Sequence, residues 1–302
     1  MISSLNSVNQ AFVDSLNQIS DRLNNDQLEL TSGLKMQTVS DSPDQVSALL
    51  QARAALASSQ QISTNLTAVS TEVNTGEQSL SNAVQLFDQV QTLAAESATG
   101  TATAATRAQN AQQLQSIEQQ MVGLANTNIE GRYIFAGDSD QTQPYTYDVT
   151  QPDPVSAYQG SASTREIQNP DGTTFPVALT AQQIFDSTDP TTNVFSAMNS
   201  LITAMNANDQ TGIETAQSGL SAVASYLNQQ LAFYGTTQDT ISSATDYANT
   251  QQTQLQAQIS NLQDADATST ILDMTQAQTE MQAALQSKAN IPHTTLFDYL
   301  QG

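Results

Sequence analysis

Residues 2–30, ISSLNSVNQAFVDSLNQISDRLNNDQLEL, decide the architecture. Ile2, Leu5, Phe12, Leu16, Ile19, Leu23 and Leu30 recur at alternating steps of three and four, with Asn9 and Asp26 filling the two skipped positions. That spacing draws one apolar stripe along a helix, and a narrow stripe is buried most readily against another helix bearing the same stripe. Toward the other end Ile241, Ala244, Ala248, Leu255, Ile259, Leu262, Leu272 and Leu285 follow a similar, less regular beat. The two ends are therefore expected to pair with each other, and neither reads as a free-standing domain.

Working inward, the spacing predicts a first helix over about 3–34, stopping near Gly33. Ser42-Pro43-Asp44 reads as a helix start, with Ser42 as cap and Pro43 at the first helical position. A periodic segment marked by Ile62, Leu66, Val69, Val73, Leu80, Val84 and Phe87 then continues to about Ala98. A helix of that size is on the order of 75 Å long, longer than one globular core, so it must lie along another helix. Gly100 marks a turn, and a third helix is expected over 104–130, with Leu114, Ile117, Met121 and Leu124 inward.

Beyond Gly131 the pattern changes. Arg132–Gly137 is a short strand-like run, and prolines and glycines punctuate the segment after it, with Asn169-Pro170-Asp171-Gly172 the clearest hairpin turn. Helical character resumes near Ala181; Val194–Ala207 and Thr211–Phe233 read as helices, Gly235 as an interruption, and Thr237–Ala289 as the last long helix. The expected fold is mainly α: a long antiparallel helical bundle or coiled-coil rod made from both termini, with a small β-rich insertion in the middle. Its parts are a terminal coiled-coil assembly segment (1–41), rod helices (42–133), an outward insertion (134–180), returning rod helices (181–240) and a closing assembly segment (241–302).

Composition excludes several classes of function. Net charge is −22, from 29 acidic against seven basic residues: Arg22, Lys35, Arg53, Arg107, Arg132, Arg165 and Lys288. Without a basic cluster the chain is a poor partner for nucleic acid or for anionic membrane surfaces. The excess acid instead suits monomers that must stay soluble and apart until brought together. Cysteine is absent, so disulfides and thiolate metal sites are excluded. The start, Met1-Ile2-Ser3-Ser4-Leu5, has neither a cationic nor an apolar signal region, no cleaved secretory signal is expected, and no apolar run is long enough to span a bilayer. Only 12% of residues are charged and 5% aromatic, which suits long helices with polar, uncharged outer faces.

His293 is the only histidine, so a histidine metal site would need carboxylate help and a triad would need this residue, beside Pro292 and the tail, as its base; an exposed tail histidine is expected instead. Asp138-Ser139-Asp140 begins like a calcium loop, but Gln143 and Val149 stand where the glycine and the bidentate glutamate are required. Asp264 and Asp266 are expected on different faces of one helix, a solvent-facing arrangement. No phosphate loop, HExxH or GxSxG sequence occurs. No catalytic residue, cofactor or metal is expected.

Gly33-Leu34 ahead of Ser40-Asp41-Ser42-Pro43, the run Gly131-Arg132-Tyr133-Ile134-Phe135-Ala136-Gly137, and the tail Leu296-Phe297-Asp298-Tyr299-Leu300 resemble the flagellin superfamily. The Tyr133–Gly137 run, followed by Pro144-Tyr145, is similar to its hook–filament junction branch, since flagellins proper usually lack it. Ser42 departs from the family's usual second acid while keeping a cap. The resemblance implies a secreted, non-enzymatic structural subunit, exported through the flagellar type III apparatus and met by an export chaperone. It would form a ring, a homo-oligomer, between a neighbouring hook-associated protein and flagellin. A flagellin proper, or a coiled-coil scaffold unrelated to flagella, is the alternative.

On this reading Leu5, Phe12, Leu16, Ile19, Leu23 and Leu30 with Leu255, Ile259, Leu262, Leu272, Leu285, Phe297 and Leu300 are the assembly residues. Tyr133, Ile134 and Phe135 anchor the insertion.

Overall fold

The computed structural model describes residues 2–36 and 43–289. Among them are helices α1 (Ile2–Ser32), α2 (Pro43–Ser97), α3 (Ala104–Ala125), α4 (Ala181–Phe185), α5 (Val194–Asn206), α6 (Gln210–Gln263) and α7 (Ala267–Ala289). The strands are β1 (Asn128–Ile129), β2 (Arg132–Tyr133), β3 (Glu166–Gln168) and β4 (Thr174–Pro176). They form two antiparallel hairpins, β1–β2 and β3–β4. The fold is mainly helical with a small β region in the middle, as predicted. At 1.5 Å per residue α2 and α6 are each about 80 Å long. The chain divides into two compact units, Met1–Ser58 with Gln251–Gly302, and Ser59–Thr250.

In the first unit Gly33 ends α1 in the left-handed conformation, φ +72°, donating to Glu29 O at 2.8 Å. The chain just beyond it pairs with the α6–α7 junction: Leu34 bridges to Asp264, Ala265 N donates to Gly33 O at 2.9 Å and Lys35 N to Gln263 O at 2.8 Å. From that point α1 and α7 run antiparallel. Arg22 forms an ion pair with Glu280, while Lys288 bonds Asn9 and lies 5.3 Å from the Phe12 ring centroid. Partner numbers fall on one helix as they rise on the other.

In the second unit the same inverse relation pairs α2 with α6. Ser59 Oγ donates to Ala248 O, Gln238 Nε2 to Asn74 Oδ1 and Glu77 Oε2, and Gln91 Nε2 to Leu220 O. The predicted α2 stripe is its buried face: Leu66, Val73, Leu80 and Phe87 are at most 1% exposed, and Ile62, Val69 and Val84 pack against them. Leu114, Ile117 and Met121 of α3 join this core, with Leu124 at its margin. Thr180 starts α4 with a capping box to Gln183.

Four boundaries differ from the sequence reading. The third helix stops at Ala125, where Asn126 turns the chain into β1; Glu130 and Gly131 then reverse it in left-handed conformations, φ +51° and +84°. Of the strand-like run only Arg132 and Tyr133 pair, and Ile134–Gly137 is a turn. Gly235 does not interrupt α6, because a lone helical glycine costs only about 1 kcal/mol and Leu227, Tyr234, Thr237 and Ile241 bury the same helix on both sides of it. The break falls instead at 264–266: Asp266 Oδ1 accepts from Thr268 N and caps α7, while Asp264 accepts from Ser260 Oγ. Those two aspartates are therefore a helix terminator and a cap rather than side chains on two faces of one helix.

The Asn169–Gly172 turn joins β3 to β4, with Gly172 at φ +91° and its N–H donating to Asn169 O at 2.9 Å. Ser40–Ser42, Pro292, His293 and the tail motif lie outside the described residues.

Candidate assembly surface and insertion anchor

The insertion is fastened where its two ends meet Tyr234 of α6. Tyr234 is 2% exposed, its ring meets Phe135 edge-on at 6.2 Å, and its hydroxyl accepts from Leu179 N at 3.2 Å. Burial pushes that hydroxyl's pKa up, so it stays protonated. α2 approaches closely enough that a Cβ on Gly76 would stand 2.5 Å from Tyr234 Cε1. Of the predicted anchors, Phe135 and Ile134 are buried and Tyr133 is half-buried. Phe135 O also accepts from Ala181 N at 2.8 Å and from the Tyr158 hydroxyl at 3.0 Å.

Charge adds two pins that sequence reading missed. Glu72 of α2 takes Arg132 on one oxygen and Arg165 on the other, and Arg132 also reaches Asp140 at 3.8 Å. These contacts span 60 and 93 residues, and no local pattern signals them. Arg107 of α3, 5% exposed, donates to Ser97 O, Thr99 O, Asn208 Oδ1 and Gln210 Oε1. A buried cation is satisfied here by the carbonyls at the end of α2, where the helix dipole is negative.

Asp140 of the imperfect calcium loop is thus a partner of Arg132. Among the described residues no cluster of three or more metal-ligating side chains exists, and no helix is long and apolar enough to cross a membrane.

The predicted assembly residues separate into two sets. On α1 Ile19 is buried, and Phe12, Leu16 and Leu23 are half-buried, as is Asp26 at a skipped stripe position; Leu30 is exposed. Burial and the Asp273 carboxylate raise the Asp26 pKa, Arg22 opposing. Near the other end Leu255, Ile259 and Leu262 are half-buried, but Leu272 is 66% and Leu285 52% exposed.

The protected face of α7 is Thr270, Met274, Ala277, Met281, Ala284 and Lys288, an unbroken three-four repeat of small, flexible or polar side chains. It carries neither leucine nor isoleucine, the residues that mark the other stripes. Ile241, Ala244 and Ala248, read as part of the terminal stripe, are buried in the 59–250 unit. Phe297 and Leu300 lie outside the described residues, as does the side chain of Leu5.

Residues 2–140 match the family described as the bacterial flagellin N-terminal helical region. Flagellar hook-associated protein 3 of Escherichia coli (strain K12) is 25% identical over 291 residues, 89% of this chain and 90% of its own length. The chain's particular similarity is to that protein, as the Tyr133–Gly137 run implied.

Solved structures share the fold. A flagellar hook-associated protein of Vibrio parahaemolyticus has a TM-score of 0.64 at 16% identity, over 74% of this chain and 100% of that one. Hook-associated protein 3 of Legionella pneumophila gives 0.62 at 12% identity, over 70% and 98%. FlgL of Xanthomonas campestris gives 0.60 at 17% identity, over 69% and 99%.

Proposed function

We propose that this chain is a structural subunit of the bacterial flagellum, placed between hook and filament, whose terminal helices complete their burial only by docking into the polymer. Uneven burial carries this reading. In the 59–250 unit the exposed large apolar side chains are Val149 and Tyr247. Among the described residues of the other, smaller unit they are Val13, Leu28, Leu30, Leu50, Ile271, Leu272 and Leu285, against a buried apolar set of Ile19, Met36, Leu49, Ala52 and Ala277.

Ordering costs about 1–2 kcal/mol per residue, and so sparse a core offsets little of it. Neighbouring subunits supply the rest: covering what remains exposed of Leu272 and Leu285 alone is worth about 2–3 kcal/mol. The likeness to hook-associated protein 3 supports the location; the neighbours in this reading are further copies in a ring, another hook-associated protein, and flagellin. Delivery by the flagellar export apparatus, with an export chaperone covering the apolar ends, fits the same chemistry. The chain acts by assembly rather than catalysis, the segments 1–41 and 241–302 make the contacts, and the insertion faces outward.

The test replaces Leu272 and Leu285 together with aspartate. Because both are exposed, the purified monomer keeps its stability within about 0.5 kcal/mol. The cells secrete the subunit but fail to retain filament, and lose motility. Normal junctions carrying the double variant on isolated flagella would overturn the reading, and a subunit abundant along the whole filament would identify a flagellin instead.

A further inference from the structure

Glu118 sits on the buried face of α3, 0% exposed. Its Oε2 lies 3.2 Å from the Tyr147 hydroxyl, which is also 3.2 Å from the Gln115 carbonyl oxygen, and its Oε1 has no hydrogen-bond partner among the described residues. A tyrosine hydroxyl owns one proton. Given to Gln115 O, it leaves an ionised Glu118 facing a lone pair; given to Glu118, it leaves the Gln115 contact without a hydrogen. Shared between the two, it makes a pair of weak, bent contacts; both are full hydrogen bonds only when the carboxyl brings a proton of its own.

We infer that Glu118 is held as a neutral carboxylic acid, and that its proton latches the insertion to α3 through a relay in which Glu118 donates to Tyr147 and Tyr147 donates to the Gln115 carbonyl. Neutrality also suits the bare Oε1, since a buried carboxylate oxygen without a donor is far costlier than a carbonyl-like one.

Tyr147 leads into the rest of the loop. It bridges to Val155, and on either side Ser156 N donates to Thr146 O at 3.0 Å and Asp148 N to Pro154 O at 2.8 Å. The same loop carries Asp153, whose charge acts on Glu118. The other ionisable side chain of α3, Arg107, is committed elsewhere, α4 and α5 have none, and Asp186 beyond α4 acts on Tyr145. Among the described residues no cation forms an ion pair with Glu118. Burial first, then Asp153, raise its pKa to about 7; a Tyr147 hydroxyl turned to donate to the carboxylate opposes them.

Ionisation therefore breaks the relay and sets two carboxylates against each other, which makes the loop 146–156 a proton-sensitive latch. A carboxyl whose folded pKa exceeds its unfolded value contributes stability that is full below pH 4.5, is lost as pH rises toward about 7, and then stays constant.

Glu118→Gln keeps a donor toward Tyr147 and cannot ionise. Between pH 4.5 and about pH 8 the unfolding constant of the natural protein should rise about 150-fold relative to this variant. Amide exchange of 146–156, corrected for intrinsic rates, should lose protection over the same range in the natural protein alone. Infrared spectra of the natural protein should contain a protonated-carboxyl carbonyl band at about pH 6 that fades by about pH 8 and is missing from the variant. A constant ratio of unfolding constants, or no such band at about pH 6, overturns the inference. Should the variant not fold, the infrared titration of the natural protein decides alone.

Discussion

Replacing Gly76 with alanine sets two effects of opposite sign against each other. In a helix interior alanine is favoured over glycine by about 1 kcal/mol. At Gly76 the added Cβ would stand 2.5 Å from Tyr234 Cε1 and 3.1 Å from Cδ1. The ring has little room to retreat: Phe135 meets it at 6.2 Å, Phe233 at 5.5 Å, and its hydroxyl is tied to Leu179 N.

Overpacking of this kind costs about 1–3 kcal/mol, so the gain is cancelled or outweighed and the net effect is a destabilisation of up to about 2 kcal/mol. Gly235 is the internal control, because a Cβ there meets nothing within 4 Å and the same substitution should stabilise by about 1 kcal/mol. Urea unfolding followed by helical circular dichroism measures both. Combining Gly76→Ala with Tyr234→Leu should cost less than the two single changes added, since the smaller side chain admits the methyl. If Gly76→Ala stabilises as Gly235→Ala does, the close approach of α2 to Tyr234 is refuted.

Two further substitutions test the buried charges. Arg107→Met strands the Ser97 and Thr99 carbonyls and should cost about 3 kcal/mol in urea unfolding, with Arg107→Lys recovering little because a point charge cannot span the fork's acceptors. Glu72→Gln leaves Arg132 and Arg165 without their shared carboxylate; it should cost about 1–3 kcal/mol and speed proteolytic cleavage within 134–180, and unchanged cleavage would show that the Glu72 ion pairs do not hold the insertion.

Much of the architecture was legible because it rests on local periodicity. The α1 stripe, the α2 stripe from Ile62 to Phe87, the Gly33 stop and the Asn169–Gly172 turn are each written in residues a few positions apart. The breaks in α6 and α7 were misplaced for a related reason. Gly235 has the stronger breaker chemistry, but burial on both sides of it carries the helix through, whereas Asp266 reads as an ordinary polar residue until its carboxylate is seen capping α7. The α7 stripe was missed because Thr270, Met274, Ala277, Met281, Ala284 and Lys288 protect a helix face without being leucine-like.

By itself the sequence determined that both ends are amphipathic helices seeking partners, that the middle breaks into turns and short strands, and that the flagellin-like motifs stand at the boundaries between them. Only the tertiary structure decided which apolar residues are covered and which, like Leu272 and Leu285, are left exposed. It alone brought Glu72 to Arg132 and Arg165, Gly76 to Tyr234, and Glu118 to Tyr147. Periodicity fixes which face of a helix is apolar, because that depends on neighbours along the chain. Charge pairing, close approach and the protonation of a buried acid depend on groups distant in sequence, and these acquire a distance only once the chain has packed.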